Sequence, residues 1–159
     1  MTELFNNFSS IIVFLHVISA VIWVGGMIAI RFAIHYSIQE IEDPKVKLGR
    51  TLENLRRFFN MVIPAIIILL LTAIIMIVAL GFKGTDLYNM VILKEIIWTI
   101  MTIVFITIYI KRNKAQKAFN NENLPEAKKN LLPIATYFIP INIVLGLIAI
   151  FLGITLRGF

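Results

Sequence analysis

Four stretches of this chain each exceed the ~20 mostly apolar residues that a helix needs to cross a bilayer. They run from about residue 10 to 36, 58 to 82, 88 to 110, and about 131 to 156. Lipid offers no partner to an unpaired backbone N–H or C=O, so each stretch must satisfy its own backbone and form a helix. The many isoleucines do not argue for strands at this length. The fold class predicted is all-α, an antiparallel bundle of four transmembrane helices, forming a single transmembrane domain over 1–159.

Composition agrees. Apolar types make up 59% of the chain and charged types only 15%, where a soluble domain carries about a quarter charged. The net charge of +6 does not point to nucleic acid, because the basic residues sit between the apolar spans. There is no cysteine, which excludes disulfides, thiolate metal sites and cysteine nucleophiles.

The leader MTELFNN has no basic residue, the apolar run after it is long, and no small-x-small cleavage pattern follows. The first span is therefore read as a retained helix and not a signal peptide. Orientation follows from Lys and Arg in the short loops. Loop 37–57 holds Lys45, Lys47, Arg50, Arg56 and Arg57; loop 111–130, with its flanks, holds Lys111, Arg112, Lys114, Lys117, Lys128 and Lys129. The opposite face has Lys83, Lys94 and Arg157. Both basic loops are thus expected in the cytoplasm and both termini on the outer, periplasmic side of a bacterial inner membrane. Asp43 before Pro44 reads as a helix cap and first helical position, so the second helix is expected to extend into the cytoplasm. Lys111–Phe119 is expected to prolong the third helix, and Pro64, Pro133 and Pro140 to kink the spans that hold them.

An ionisable group inside a spanning helix is costly and calls for a functional explanation. His16, Arg31 and His35 on the first span and Lys94 and Glu95 on the third are of this kind. His16 lies roughly 9 Å from the outer end of its span at ~1.5 Å per residue. Met76, Lys94 and Glu95 sit at similar depth, with Trp98 one turn deeper. Arg31 and His35, four apart, stack near the cytoplasmic end, in one layer with Arg57 and Met61. The two histidines are ~28 Å apart along the helix and cannot grip one ring from its two faces. A partner chain in a two-fold dimer could bring a second His16 across the axis. Each of these residues also has a plain packing role open to it. An intramembrane His can hydrogen-bond a neighbouring helix, Arg31, His35 and Lys94 can snorkel, and Met27, Met61, Met76 and Met101 can fill space. Gly25, Gly26, Gly146 and Gly153 allow either close helix approach or room for a flat ring.

The run HVISAVIWVGGMIAIRFAIH resembles the first-helix signature of the CopD and HemJ group of four-helix membrane proteins, through His16, Trp23 and Gly26. Lys94 in ILKEIIWTIMTIVFITIYIKR is similar to the basic residue of that group's third helix, and IVLGLIAIFLGITLRG resembles its last helix. The resemblance implies either a haem b protein with protoporphyrinogen oxidase activity, as in the HemJ type, or copper movement across the inner membrane, as in the CopD type. Against the HemJ pattern, Arg31 and His35 are one residue closer, no Pro precedes the Arg, and no His precedes Lys94. CopD-like proteins fit best.

The reading expected from these residues is a haem b-binding membrane protein with an electron-transfer or redox role. His16 would be an axial ligand, Lys94 the partner of a propionate, and Met76 or a partner-chain His the opposite ligand. Trp23 and Gly26 would shape the ring's site. Arg31 and His35, with Arg56 or Arg57, would hold a second inner haem or bind quinone; a quinone or a redox partner protein, and a second copy of the chain, are the expected partners. In the copper alternative, His16, Met27, Met76 and Met101 form a soft trail. A subunit that only packs against a larger complex is the third reading.

Overall fold

The computed structural model describes residues 2–156; Arg157, counted above with the outer basic residues, lies outside them. Four helices account for nearly all of this stretch, with no strand among the described residues: α1 Thr2–Gln39, α2 Pro44–Leu80, α3 Tyr88–Asn120 and α4 Leu124–Thr155. All four are long and apolar enough to cross a membrane. At ~1.5 Å per residue each exceeds 45 Å, well beyond the ~30 Å hydrocarbon core, so polar turns continue past the apolar spans.

The helix ends follow local chemistry. The Asp43 carboxylate accepts the Val46 N–H at 2.9 Å, and Pro44 occupies the first turn, where its missing N–H costs nothing. Gly81 ends α2 in the left-handed region at φ 61°, which a glycine enters without steric cost. The Asn123 side chain caps α4 by accepting the Glu126 N–H at 3.1 Å. α1 begins earlier than its apolar stretch and breaks at Phe8, where φ is −129°.

Neither α1 nor α4 is uniformly wound. Val21–Gly25 and Ile30–Ile34 of α1 and Ile134–Phe138 of α4 are π-helical turns. The His35 N–H reaches back five residues to the Ile30 carbonyl, and the Ile139 N–H does the same to Ile134. In α4 the cause is visible: Pro133 and Pro140 flank the turn, and each removes a donor from the ladder. In α1 no proline is present.

α1 packs along α2, and α3 along α4. The two pairs share one core, in which Trp23, Phe59, Val62, Met101, Phe105 and Ile143 are all buried. Aromatic edges interlock there, Trp23 against Phe105 at 6.1 Å and Phe105 against Phe59 at 5.4 Å between ring centres. Large apolar side chains also cover the outside, Phe151 being 68% exposed and Phe14 63%. That inversion suits a lipid surround, where helices gain nothing by hiding apolar area and associate through close packing. Glycine makes the approach possible. A Cβ on Gly146 would stand 2.6 Å from Val24, and one on Gly26 2.7 Å from the Phe58 ring.

The two basic connections meet at one end of the molecule. Lys45 pairs with Glu122 at 3.1 Å, and the Arg112 Nη2 donates to the Leu52 carbonyl at 3.2 Å. Burial, with Arg56 nearby, pushes the Arg112 pKa down. On α2, Arg56 and Arg57 both donate to Glu53, at 2.9 and 2.7 Å. These bonds, Arg56's foremost, hold the Glu53 carboxyl down at about 2.

Gly146→Ala should destabilise the purified protein by roughly 1–3 kcal/mol, the usual cost of overpacking. Gly25→Ala, whose Cβ would meet only Val21 at 4.0 Å, should leave the detergent melting temperature unchanged. Glu53 has a lowered folded pKa, so its contribution is present above the unfolded value near 4.5 and disappears as pH falls through about 2. Glu53→Gln should therefore flatten the stability profile between those pH values and change little else, as befits an exposed ion pair.

Candidate functional site

Position 16 holds one of the chain's two histidines. His16 sits half-buried on the α2 side of α1, and its Nδ1 lies 3.0 Å from the Thr72 hydroxyl. Thr72 is buried, and its Oγ1 is 2.7 Å from the Ile68 carbonyl and 3.1 Å from that of Leu69. A hydroxyl has one proton, and those carbonyls take it. Toward His16 the oxygen can therefore only accept. The imidazole must carry its proton on Nδ1, which leaves the Nε2 lone pair free. Fixing one ring nitrogen by a hydrogen bond so that the other stays basic is how proteins prepare a histidine as a ligand or proton acceptor.

Lys94 belongs to the same layer. Its charge is close enough to act on His16, and its ammonium packs over Gly153, where a Cβ would stand 2.8 Å from Nζ. α1, α2, α3 and α4 thus each bring one residue to this level: His16, Thr72, Lys94 and Gly153. Met76 is half-buried one turn beyond Thr72 on the same face of α2. Glu95 is exposed on a different face of α3 from Lys94.

Deeper in the bundle lie buried polar groups without partners. Ser19 Oγ, Trp23 Nε1, Trp98 Nε1 and Asn142 Oδ1 make no hydrogen bond among the described residues. Asn142 is 0% exposed and spends its amide N–H on the Met101 carbonyl at 3.2 Å. His16, Ser19 and Trp23 share one face of α1 by their spacing, so this polar strip descends from the histidine layer into the core.

Two residues expected to shape a ring site are committed to packing. The open side of Gly26 is taken by Phe58, and Trp23, 1% exposed, closes on Phe105. Met27 and Met101 are likewise core residues, while Met61 faces outward. The pair Arg31 and His35 stays together at the basic end, far from His16. The Arg31 guanidinium lies 5.8 Å from both the Phe32 and Tyr36 ring centres, with Nη1 buried and unpartnered.

Thr72 and Asn142 were not singled out from the sequence. Depth counting alone placed Met76 opposite His16; the residue that meets it is four positions earlier on the same stripe. A lone Asn in an apolar span, one turn from Gly146, was the available signal for Asn142. Among the described residues no group of three His, Asp or Glu side chains gathers to hold a metal ion. Comparison with family models, curated proteins and solved structures finds no match for this chain.

Thr72→Val should release the His16 tautomer. In nitrogen-15 spectra of the wild type, Nε2 should resonate as an unprotonated, pyridine-like nitrogen; in the variant both tautomers should appear. An unchanged spectrum would mean that Thr72 does not set the proton's position.

Proposed function

We propose that this chain is a multi-pass protein of the bacterial inner membrane that binds haem b through His16 and serves electron transfer or a related redox role. Its helices run antiparallel, with both termini outside and the two basic connections in the cytoplasm. The Lys45–Glu122 pair and the excess of basic residues at that end support this arrangement. The observation that carries the functional reading is the Thr72 hydroxyl held beneath His16 Nδ1.

The residues present fit such a group at one position and not at another. Inside the bundle the glycine cradles are filled, Gly26 by Phe58 and Gly146 by Val24 and Met101. On the half-exposed side of α1 the Nε2 of His16 makes no hydrogen bond among the described residues. The group is therefore assigned to the surface of the bundle, with His16 as its protein ligand from this chain. When bound, it supplies one-electron chemistry that no side chain here can perform.

The chain's own residues have defined tasks. Thr72 fixes the tautomer and ring orientation of His16. Lys94 offers a positive charge in the same layer to a carboxylate carried by the ligand. Met76, or His16 of a second copy related by a two-fold axis, would be the other residue to hold the group. The resemblance to the CopD and HemJ group through His16, Trp23, Gly26 and Lys94 supports the reading; copper transport and protoporphyrinogen oxidation are its alternatives.

Protein purified from haem-supplied cells should show a Soret band that sharpens and shifts on reduction. His16→Ala should abolish it, and Thr72→Val should weaken retention about ten-fold or more. A colourless protein that retains copper through dialysis would transfer the assignment to copper. A Soret band of full strength in His16→Ala would remove His16 as the ligand.

A further inference from the structure

A second feature stands at the basic end, on helices that the His16 layer does not use in the same way. Between α1, α2 and α4 lies a narrow cleft of about 40 Å³, lined by Ile34, His35, Thr51, Asn54, Ile134 and Ala135 among others. Two of the three π turns among the described residues border it. Ile30–Ile34 forms one wall and leads into His35; Ile134–Phe138 supplies Ile134 and Ala135 to the other. A π turn is rare and is frequently found at functional sites. Here two turns, on helices far apart in sequence, face one space.

The polar groups of the cleft are neutral and available. The Thr51 hydroxyl donates to the Lys47 carbonyl at 2.9 Å, but neither the His35 ring nor the Asn54 amide has a hydrogen-bond partner among the described residues. No Lys or Arg lines the cleft. Arg31, one turn before His35, keeps its guanidinium at 5.8 Å from the rings of Phe32 and Tyr36 instead. The remaining walls are mostly Ile and Leu.

These features describe a ligand. The part that enters is uncharged, because no cation lines the cleft itself, Arg31 lying outside it, and a phosphate or carboxylate there would lose its hydration. It accepts hydrogen bonds, because the imidazole and the amide both offer N–H groups. It is largely apolar, because the cleft opens among isoleucines at the end of the apolar spans. The volume holds little more than one water, whose share of liquid is ≈ 30 Å³, so a carbonyl edge enters and the rest of the molecule stays among the isoleucines.

The geometry points to a binding site for the carbonyl edge of a membrane quinone, with His35 and Asn54 as the hydrogen-bond donors and the paired π turns as its walls. This site is independent of what His16 holds.

The test is calorimetric titration of the full chain in detergent with a decyl-substituted benzoquinone, the visible spectrum being recorded beforehand so that the His16 reading is scored separately. Saturable binding is expected in the wild type. His35→Ala and Asn54→Leu should each weaken it about ten-fold, the loss of one buried hydrogen bond. Ala135→Leu, which fills the cleft, should abolish binding, and His35→Gln, which restores an N–H donor, should recover part of it. Melting temperatures of the variants separate loss of the site from loss of the fold: a variant that melts with the wild type yet binds weakly supports the site. Three outcomes would overturn it. The wild type gives no saturable heat, so that the cleft is a water pocket; the affinity stays within two-fold in folded His35→Ala and Asn54→Leu; or anionic phospholipid displaces the quinone competitively, which would make this a headgroup site.

Discussion

Nothing inside a bilayer will take over a hydrogen bond that the protein drops, and that constraint governs every polar atom in this molecule. It makes the four spans helical and leaves few options for the side chains. Thr72, Thr102 and Thr136 each return their hydroxyl proton to a carbonyl of the preceding turn. Because Thr72 does so, it has only a lone pair to offer His16. A constraint on backbone and hydroxyl bonding in α2 therefore dictates the tautomer of a histidine on α1. The site's chemistry grows out of the solvent the helices occupy.

The same constraint explains why most of the fold was legible in the sequence. Length and apolar content alone define a spanning helix, and the Asp43–Pro44 and Gly81 signals bound α2 through chemistry local to a few residues. The candidate site was legible only in part. His16, Lys94, Arg31 and His35 stand out because an ionisable residue in an apolar run is conspicuous. Their partners do not. Thr72 is a common residue in spanning helices, and opposing depth counts carry an uncertainty of a turn, which is the interval between Met76 and Thr72. The rotation of one helix against another is set by close approaches such as Val24 on Gly146 and Phe58 on Gly26, and no periodicity within one helix encodes them.

The π turns show where local reading ends altogether. The one in α4 has prolines on both sides, so the sequence hints at a disturbed ladder there. Those in α1 fall in IRFAI and VIWVG, where each residue accepts ordinary α-helical winding. What the structure shows beside them is burial: Trp23 lies in the first turn and Met27 between the two, each 1% exposed. Inserting one residue rotates everything after it by about 100° relative to an unbroken helix. Two such turns separate His16 from His35, so the face that His35 presents cannot be counted from His16 by helical spacing.

That rotation bears on how the two ends of the molecule relate. Between His16 and His35 the core is filled by Trp23, Phe105 and Phe59, with Tyr109 continuing the edge-to-face series at 5.4 Å from Phe59. Edge-to-face packing of this kind ties α1, α2 and α3 together across the core. The histidine layer and the basic-end cleft therefore lie on either side of this aromatic cluster. One helix thus carries an imidazole near each end, with the Thr72 hydroxyl opposite His16 and the Asn54 amide lining the same cleft as His35. On the proposed reading each end handles its own ligand, and the packed middle fixes the distance between them.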